Sequence, residues 1–358
     1  MSRIYLDWNA TAPLRPEAKA VMIAAMDIVG NPSSVHAEGR SARIIVEKAR
    51  EEVGALVGIE RNEVVFTSGA TEAAALAAKG HTLACSDMEH DAVLAHRTET
   101  IPVTATGELQ LENFEGSLLA VQASNSETGV LQNNFHWAQQ AWAKDAMVLV
   151  DAVQSAGRFG TSLDDLGADF LMLSAHKMGG PKGIGALCLK LGVDVTATIP
   201  GGGQEQGRRS GTENVIGIAG FGAAAKAAER DRKAGLWDAV YALRNHLEDR
   251  IADIASDAIF FSKDAPRLQN TSCFAVPGWK GETQVMQMDL AGYAISAGSA
   301  CSSDKVKQSR VLKAMGFDDI TASSAVRVSL GPLTTQEDVD GFVSAWAKAY
   351  KNFTAKAA

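Results

Sequence analysis

The sequence predicts an α/β chain built on a mainly parallel central sheet, followed by a smaller α+β unit. Three observations carry this expectation. Short apolar runs recur at 64–66, 118–123, 147–150, 170–173 and 184–189, each next to polar or Gly-rich residues. Helical patterns lie between them, the grammar of strand–helix–strand crossovers. The runs are continuously apolar rather than alternating, as strands covered on both faces are.

Taken in order, 15–29 reads as a helix, with Pro16 suited to a first turn and Gly30 to a stop. Over 41–57, Ile45, Ala49, Val53 and Leu56 recur at helical spacing against Glu47, Lys48, Glu51 and Glu52, so one face is solvated. The strand at 64–66 runs into the turn Thr67-Ser68-Gly69-Ala70-Thr71 and then an Ala-rich helix over 72–79. After the Gly-rich stretch 200–211, a long helical region covers 215–256. Strand-like pieces at 272–276 and 325–330 then mix with helices. The expected division is a large unit over 12–255 and a small one made of 1–11 and 256–358.

A chain of 358 residues with 46% hydrophobic and 21% charged residues has the composition of a globular protein. A formal charge of −8 argues against a nucleic-acid binder that neutralises phosphates. No apolar run nears the roughly 20 residues that cross a bilayer, and the first residues lack a signal-peptide pattern. The four cysteines have no metal-ligand spacing and read as reduced thiols. Cytoplasmic location and no metal are the resulting expectations.

Chemistry gathers near the ends of the runs. Lys177 follows one of them, between His176 and a Gly-Gly-Pro turn; a lysine so placed can form a Schiff base. On its own it reads equally as a surface loop lysine. Asp151 ends another run, where an unpaired carboxylate is costly. The protonated ring nitrogen of pyridoxal phosphate would suit it, and so would a plain helix-capping role. The two lie 26 residues apart, about one strand–helix–strand step. The turn at 68–72 offers backbone N–H groups at a helix start, which bind phosphate. In such sheets ligands sit beyond the carboxyl ends of the strands.

These segments together resemble the cysteine desulfurases, the NifS/IscS-like group of the class V aminotransferase family. The likeness runs from Tyr5 to about Thr335. Its landmarks include Asn9-Ala10-Thr11, 30–36, Thr67 to Glu72, Glu89-His90, Asp151 to Ser155, Ser174 to Gly183, 201–205, 209–214, Gly298-Ser299-Ala300-Cys301 and Arg327 to Gly331. It implies a fold type I pyridoxal-phosphate-dependent transferase with pyridoxal 5'-phosphate as cofactor. Lys177 would carry the cofactor and His90 would stack on it and move protons. Asp151 would pair with the ring nitrogen, and Gln154 would hydrogen-bond the phenolic oxygen. Ala70, Thr71, Ser174 and His176 would bind the phosphate, joined by Thr212 from the neighbouring subunit of a homodimer. Arg327 would clamp the substrate carboxylate, while Asn9 and Asn31 help close the site. Cys301, among small residues, would take sulfur from L-cysteine as a persulfide and pass it to an iron–sulfur scaffold or another acceptor protein.

Two departures stand out. Trp8 replaces an asparagine and is expected to narrow the substrate mouth. Where relatives have two asparagines, this chain has Asn125-Ser126, so either the shorter hydroxyl meets the cofactor or Asn125 turns inward. A selenocysteine lyase, another class V enzyme or a non-catalytic assembly subunit are the competing readings; retention of Lys177, His90 and Cys301 speaks against the last.

Overall fold

The computed structural model describes residues 3–111, 114–298 and 308–357. The chain starts with β1 (Ile4–Tyr5), α1 (Pro16–Met26) and α2 (Ala37–Val57). Then come β2 (Val64–Thr67), α3 (Ala70–Ala78), β3 (Leu83–Ser86), α4 (Asp91–Leu94), β4 (Arg97–Ile101) and β5 (Leu118–Gln122). They are followed by α5 (Asn134–Trp142), β6 (Met147–Asp151), α6 (Leu163–Leu166), β7 (Phe170–Ser174) and β8 (Gly185–Leu189). Two long helices, α7 (Val215–Lys233) and α8 (Leu236–Ile254), lead to β9 (Ile259–Phe260), β10 (Thr271–Ala275) and α9 (Gly281–Leu290). Last are β11 (Tyr293–Ala294), β12 (Ser296–Ala297), α10 (Arg310–Ala314), α11 (Asp319–Ser324), β13 (Ala325–Ser329) and α12 (Gln336–Ala357).

The large sheet has the order β2-β8-β7-β6-β5-β3-β4. Only β8 runs against its neighbours; every other pairing is parallel. The carboxyl ends of β2, β3, β5, β6 and β7 therefore share one edge. Successive side chains go to opposite faces, as a pleated strand requires. Val64, Leu119, Val121, Val148 and Val150 pack into the core beneath α2 and α7, while Val65, Leu118, Ala120 and Leu149 pack into the core against α3. Both faces are covered, which is why the strands read as unbroken apolar runs.

Helix ends follow local chemistry. α1 has Pro16 in its first turn and stops at Met26, short of the expected end. α2 begins earlier than the apolar spacing suggested, because His36 Nδ1 accepts the Gly39 N–H at 3.3 Å. It ends on Gly58, whose φ of 76° is easy only for glycine. The helical region expected over 215–256 consists of two helices, broken at Gly235 with φ 74°. Trp237, Val240, Leu247 and Ile251 of α8 pack in a second core with Phe274, Val326 and Trp346.

The first residues join the two units. β1 pairs with β11, Leu6 enters the second core, and Asp7 bridges to Ser329. Five residues later Ala12 N–H donates to the carbonyl of His176 in the large unit at 2.9 Å. Residues 8–11 are thus drawn across the edge where the large sheet ends. Trp8 is not at a mouth. It is 9% exposed and lies against Gly331, where any Cβ would come within 2.0 Å of its ring.

Candidate active site

Each strand end at that edge delivers one of the expected residues. β6 ends at Asp151, whose Oδ1 accepts Val153 N–H at 2.9 Å. Burial pushes its carboxyl above the ordinary range, against the pull of that hydrogen bond and of His90 and Lys177. β7 ends at the buried Ser174 and turns at once into a 3₁₀ segment, Ala175–Lys177. Lys177 Nζ donates to the carbonyls of Asn9 at 2.6 Å and Ala10 at 2.9 Å. Beyond β3, His90 caps α4 by accepting Ala92 N–H at Nδ1, 3.1 Å away, and its side chain is exposed.

The turn after β2 begins α3, with Ala70 and Thr71 as its first residues. Gly185 on β8 lets the turn approach: a Cβ there would lie 2.7 Å from the backbone of Gly69. Ser68 N–H is already taken by Glu72 Oε2 at 2.7 Å, and Glu72 is held in turn by Arg209. This leaves the start of α3 to face an anion with Ala70 and Thr71. His176 Nδ1 meets Thr11 Oγ1 at 3.1 Å. Burial, reinforced by Lys177, Lys182 and Arg158, lowers its pKa to about 4, so the ring is neutral near pH 7.

Several expected residues prove to be differently engaged. Asn9 is 1% exposed and its side chain is saturated. Nδ2 donates to Ser126 O and Thr271 Oγ1, while Oδ1 accepts from Arg158 and Asn270. Asn9 thereby ties the N-terminal crossing to Ser126, Thr271, Arg158 and Asn270. Asn125 is buried; it donates to Met88 O and Gln122 Oε1 and accepts from Glu127 and Thr128. Ser126 is half-buried, and its carbonyl accepts from Asn9 and from Arg327 Nη1 at 3.0 Å. Asn31 is exposed and its Oδ1 accepts Ser33 N–H at 2.9 Å. Thr212 is exposed, in a cavity of about 210 Å³ that also meets Thr67, Ser68 and Arg209 of its own chain. Cys301 lies outside the described residues.

Arg327, on β13, is buried and pairs through Nη2 with Asp7 Oδ1 at 2.7 Å, while its Nε has no partner. Sequence reasoning missed three further residues. Arg158 bonds Asn9 Oδ1, Trp8 O and Lys177 O, tying the N-terminal crossing to the lysine turn. Glu89, 1% exposed, accepts Gln122 N–H at Oε1, leaves Oε2 without a partner, and is pushed well up by burial and by Asp151. Glu127 Oε2 accepts the Ser309 Oγ–H at 2.6 Å, and burial raises its carboxyl to about 7. Their places beside His90 and Asn125 were a usable signal; Arg158 had none.

Residues 4–342 match the family model of class-V aminotransferases. The chain belongs to that family, on its cysteine desulfurase branch. A cysteine desulfurase from Cereibacter sphaeroides is 39% identical over 95% of this chain and 94% of its own. A NifS-like protein from Rickettsia africae, solved by X-ray crystallography, is 31% identical with a TM-score of 0.90, covering 98% of this chain and 99% of its own. A second solved relative, SspA in complex with cysteine, is 28% identical with a TM-score of 0.77 over 93% of this chain and all of its own.

Class-V aminotransferases use pyridoxal phosphate, and this edge fits the group. Gln154 is 5% exposed; its Nε2 donates to Asn9 O at 2.9 Å, but its Oε1 has no partner. A buried orphan acceptor and a destabilised carboxylate at Asp151 both call for a polar, protonated ring. Lys177 Nζ lies on the same carbonyl of Asn9 that Gln154 uses.

Proposed function

We propose that this chain takes sulfur from L-cysteine, releasing L-alanine and leaving a persulfide on Cys301. The observation that carries it is the meeting of Lys177, Asp151, Gln154 and His90 at one sheet edge, with the buried Arg327 reaching the same turn through Ser126. The SspA relative holds cysteine, the substrate proposed here.

Bound pyridoxal phosphate supplies an electron sink for charge that develops at the substrate Cα. Lys177 Nζ would hold the group and take the Cα proton. Asp151 would keep its ring nitrogen protonated, and Gln154 would offer a hydrogen bond to its phenolic oxygen. His90 would lie against the ring and move protons. Ala70, Thr71, Ser174 and the neutral His176 would hold the phosphate. Arg327 offers its guanidinium to the substrate carboxylate, which requires it to share or release Asp7. Cys301 thiolate attacks the substrate Sγ; the Cβ–Sγ bond breaks and the carbon fragment takes up protons as alanine. Thiol plus cysteine gives persulfide plus alanine, so no outside reductant is needed. The persulfide then passes to an iron–sulfur scaffold or another acceptor protein, and Thr212 completes the phosphate site across a homodimer.

The purified protein should be yellow, and L-cysteine should yield alanine. Lys177→Ala should lose the visible band and lower alanine formation by roughly 100-fold or more. Cys301→Ala should keep the band and lose alanine formation alike. Turnover unchanged in Cys301→Ala would remove the persulfide step.

A further inference from the structure

A cavity of about 470 Å³ opens between α8 and the segment 263–267, and none of its lining residues belongs to the site described above. Its charge is unbalanced. Arg244, on α8, is 4% exposed, yet among the described residues its Nε has no hydrogen-bond partner. Its Nη1 reaches the carbonyl of Thr271 at 3.4 Å, and its guanidinium lies over the Tyr241 ring at 5.0 Å. Neither contact supplies a counterion. The Arg267 side chain is buried as well, but both oxygens of Glu248 accept from it, at 2.8 and 3.0 Å. Two guanidiniums thus share one buried carboxylate, and that carboxylate is spent on Arg267. Burial and Arg267 lower the Arg244 pKa, against the pull of Glu248 and Tyr241. Of the exposed charges that line the cavity, Lys263 and Asp249 offset each other. A buried charge without a partner is costly, and the open space beside Arg244 is where a partner can enter.

The segment 263–267 is fixed in place by backbone bonds. Leu131 N–H donates to Pro266 O at 2.8 Å, Leu268 N–H donates to Gly129 O at 2.8 Å, and Val130 bridges to Arg267. The cavity is therefore preformed, which spares a ligand the cost of ordering it. Its volume is that of a small-molecule site and exceeds what an inorganic ion fills. Leu131 and Pro266 add apolar surface to the lining. We propose that this cavity binds a small organic oxyanion, a carboxylate or a phosphate monoester. The charged oxygens pair with Arg244, and the carbon skeleton lies against Leu131 and Pro266. A guanidinium fork matches both kinds of head group. The site stands whether or not the chain desulfurates cysteine.

The cofactor-loaded protein is titrated by calorimetry with succinate and, separately, with glycerol 3-phosphate. Potassium chloride at equal ionic strength is the reference, which removes general screening. At least one of the two should bind at one site per chain with a Kd below about 5 mM. Binding of succinate alone makes the head group a carboxylate, and binding of glycerol 3-phosphate alone makes it a phosphate. Arg244→Met should bind the same probe at least about tenfold more weakly. The bound anion should also raise the melting temperature of the unaltered protein and leave that of Arg244→Met unmoved. An arginine that only packs would shift stability alike with and without the anion. Lys263→Gln changes an exposed side chain, so it keeps the fold, and should weaken binding by about threefold. Should Arg244→Met not fold, Lys263→Gln decides. No saturable binding of either probe up to about 20 mM overturns the proposal, as does an affinity unchanged in the deciding variant.

Discussion

Asn9 shows how one side chain can set the geometry of a site. Its carbonyl receives Lys177 and Gln154, and its amide fixes Ser126, Thr271, Arg158 and Asn270. Truncation to Ala would leave the buried Arg158 guanidinium short of a partner, in surroundings that already depress its pKa to about 9 through burial and Arg327. Asn9→Ala should cost about 3 kcal/mol of stability, read from the denaturant midpoint. It should also weaken cofactor retention, since the lysine and glutamine lose their shared reference point. An effect below about 1 kcal/mol would show that neighbours take over its bonds. The sequence made Asn9 visible as a landmark, but a motif marks a position and not the partners of its side chain. The places of Lys177 and Asp151 at the sheet edge were legible, since each follows an apolar run that forms a strand. Arg158 was not, because its bonds to Trp8 and Asn9 join positions about 150 residues apart.

At the scale of elements, the Gly-rich stretch after β8 is held down by one buried ion pair. Glu205 accepts Arg50 Nη1 at 2.6 Å and Nη2 at 2.8 Å, and takes Phe66 N–H at 2.9 Å. Arg50 in turn donates to Val64 O at 2.8 Å and lies over the Phe66 ring. β2 is the edge strand of the large sheet, so these side chains occupy backbone groups that would otherwise invite another strand. Glu205 does this with φ 48°, a left-handed backbone unusual for a residue with a side chain. Glu205→Ala should destabilise by about 3–5 kcal/mol, because Arg50 and the Phe66 amide are left buried and unpaired. Adding Arg50→Met should recover part of the loss, and a double variant no better than the single one would deny the pair its part in stability. Strands of the large sheet were legible from unbroken apolar runs, and their parallel order from the helices between them. The break at Gly235 was not, since α7 and α8 share a period and one glycine carries the change of direction. Nor was the Arg50–Glu205 pair, which no local spacing records.

For the molecule as a whole, the remaining question is whether one chain makes a complete site. Large apolar side chains left exposed are concentrated in 21–44: Val29 and Val35 are 82% and 86% exposed, with Ile23, Met26 and Ile44 also above half. Such an accumulation marks a surface that a partner covers. Thr212 lies at the rim of a cavity beside the Thr67–Ser68 turn, exposed on the single chain. The proposed homodimer places one exposed Thr212 at the other chain's phosphate site. Sedimentation should therefore give a dimer, and Val29→Glu with Val35→Glu should shift it toward monomer. Subunit mixing tests the shared site directly. Lys177→Ala cannot hold the cofactor, and Thr212→Val should bind it about tenfold more weakly through loss of one phosphate contact. When Thr212 acts across the interface, a mixed dimer has one site with both defects and one with neither. Refolding the two variants together should then restore unaltered cofactor affinity at roughly one site in four, the statistical share for equal mixing. Contact within one chain gives no such site, and titration of the mixture would show only the weakened affinity of Thr212→Val.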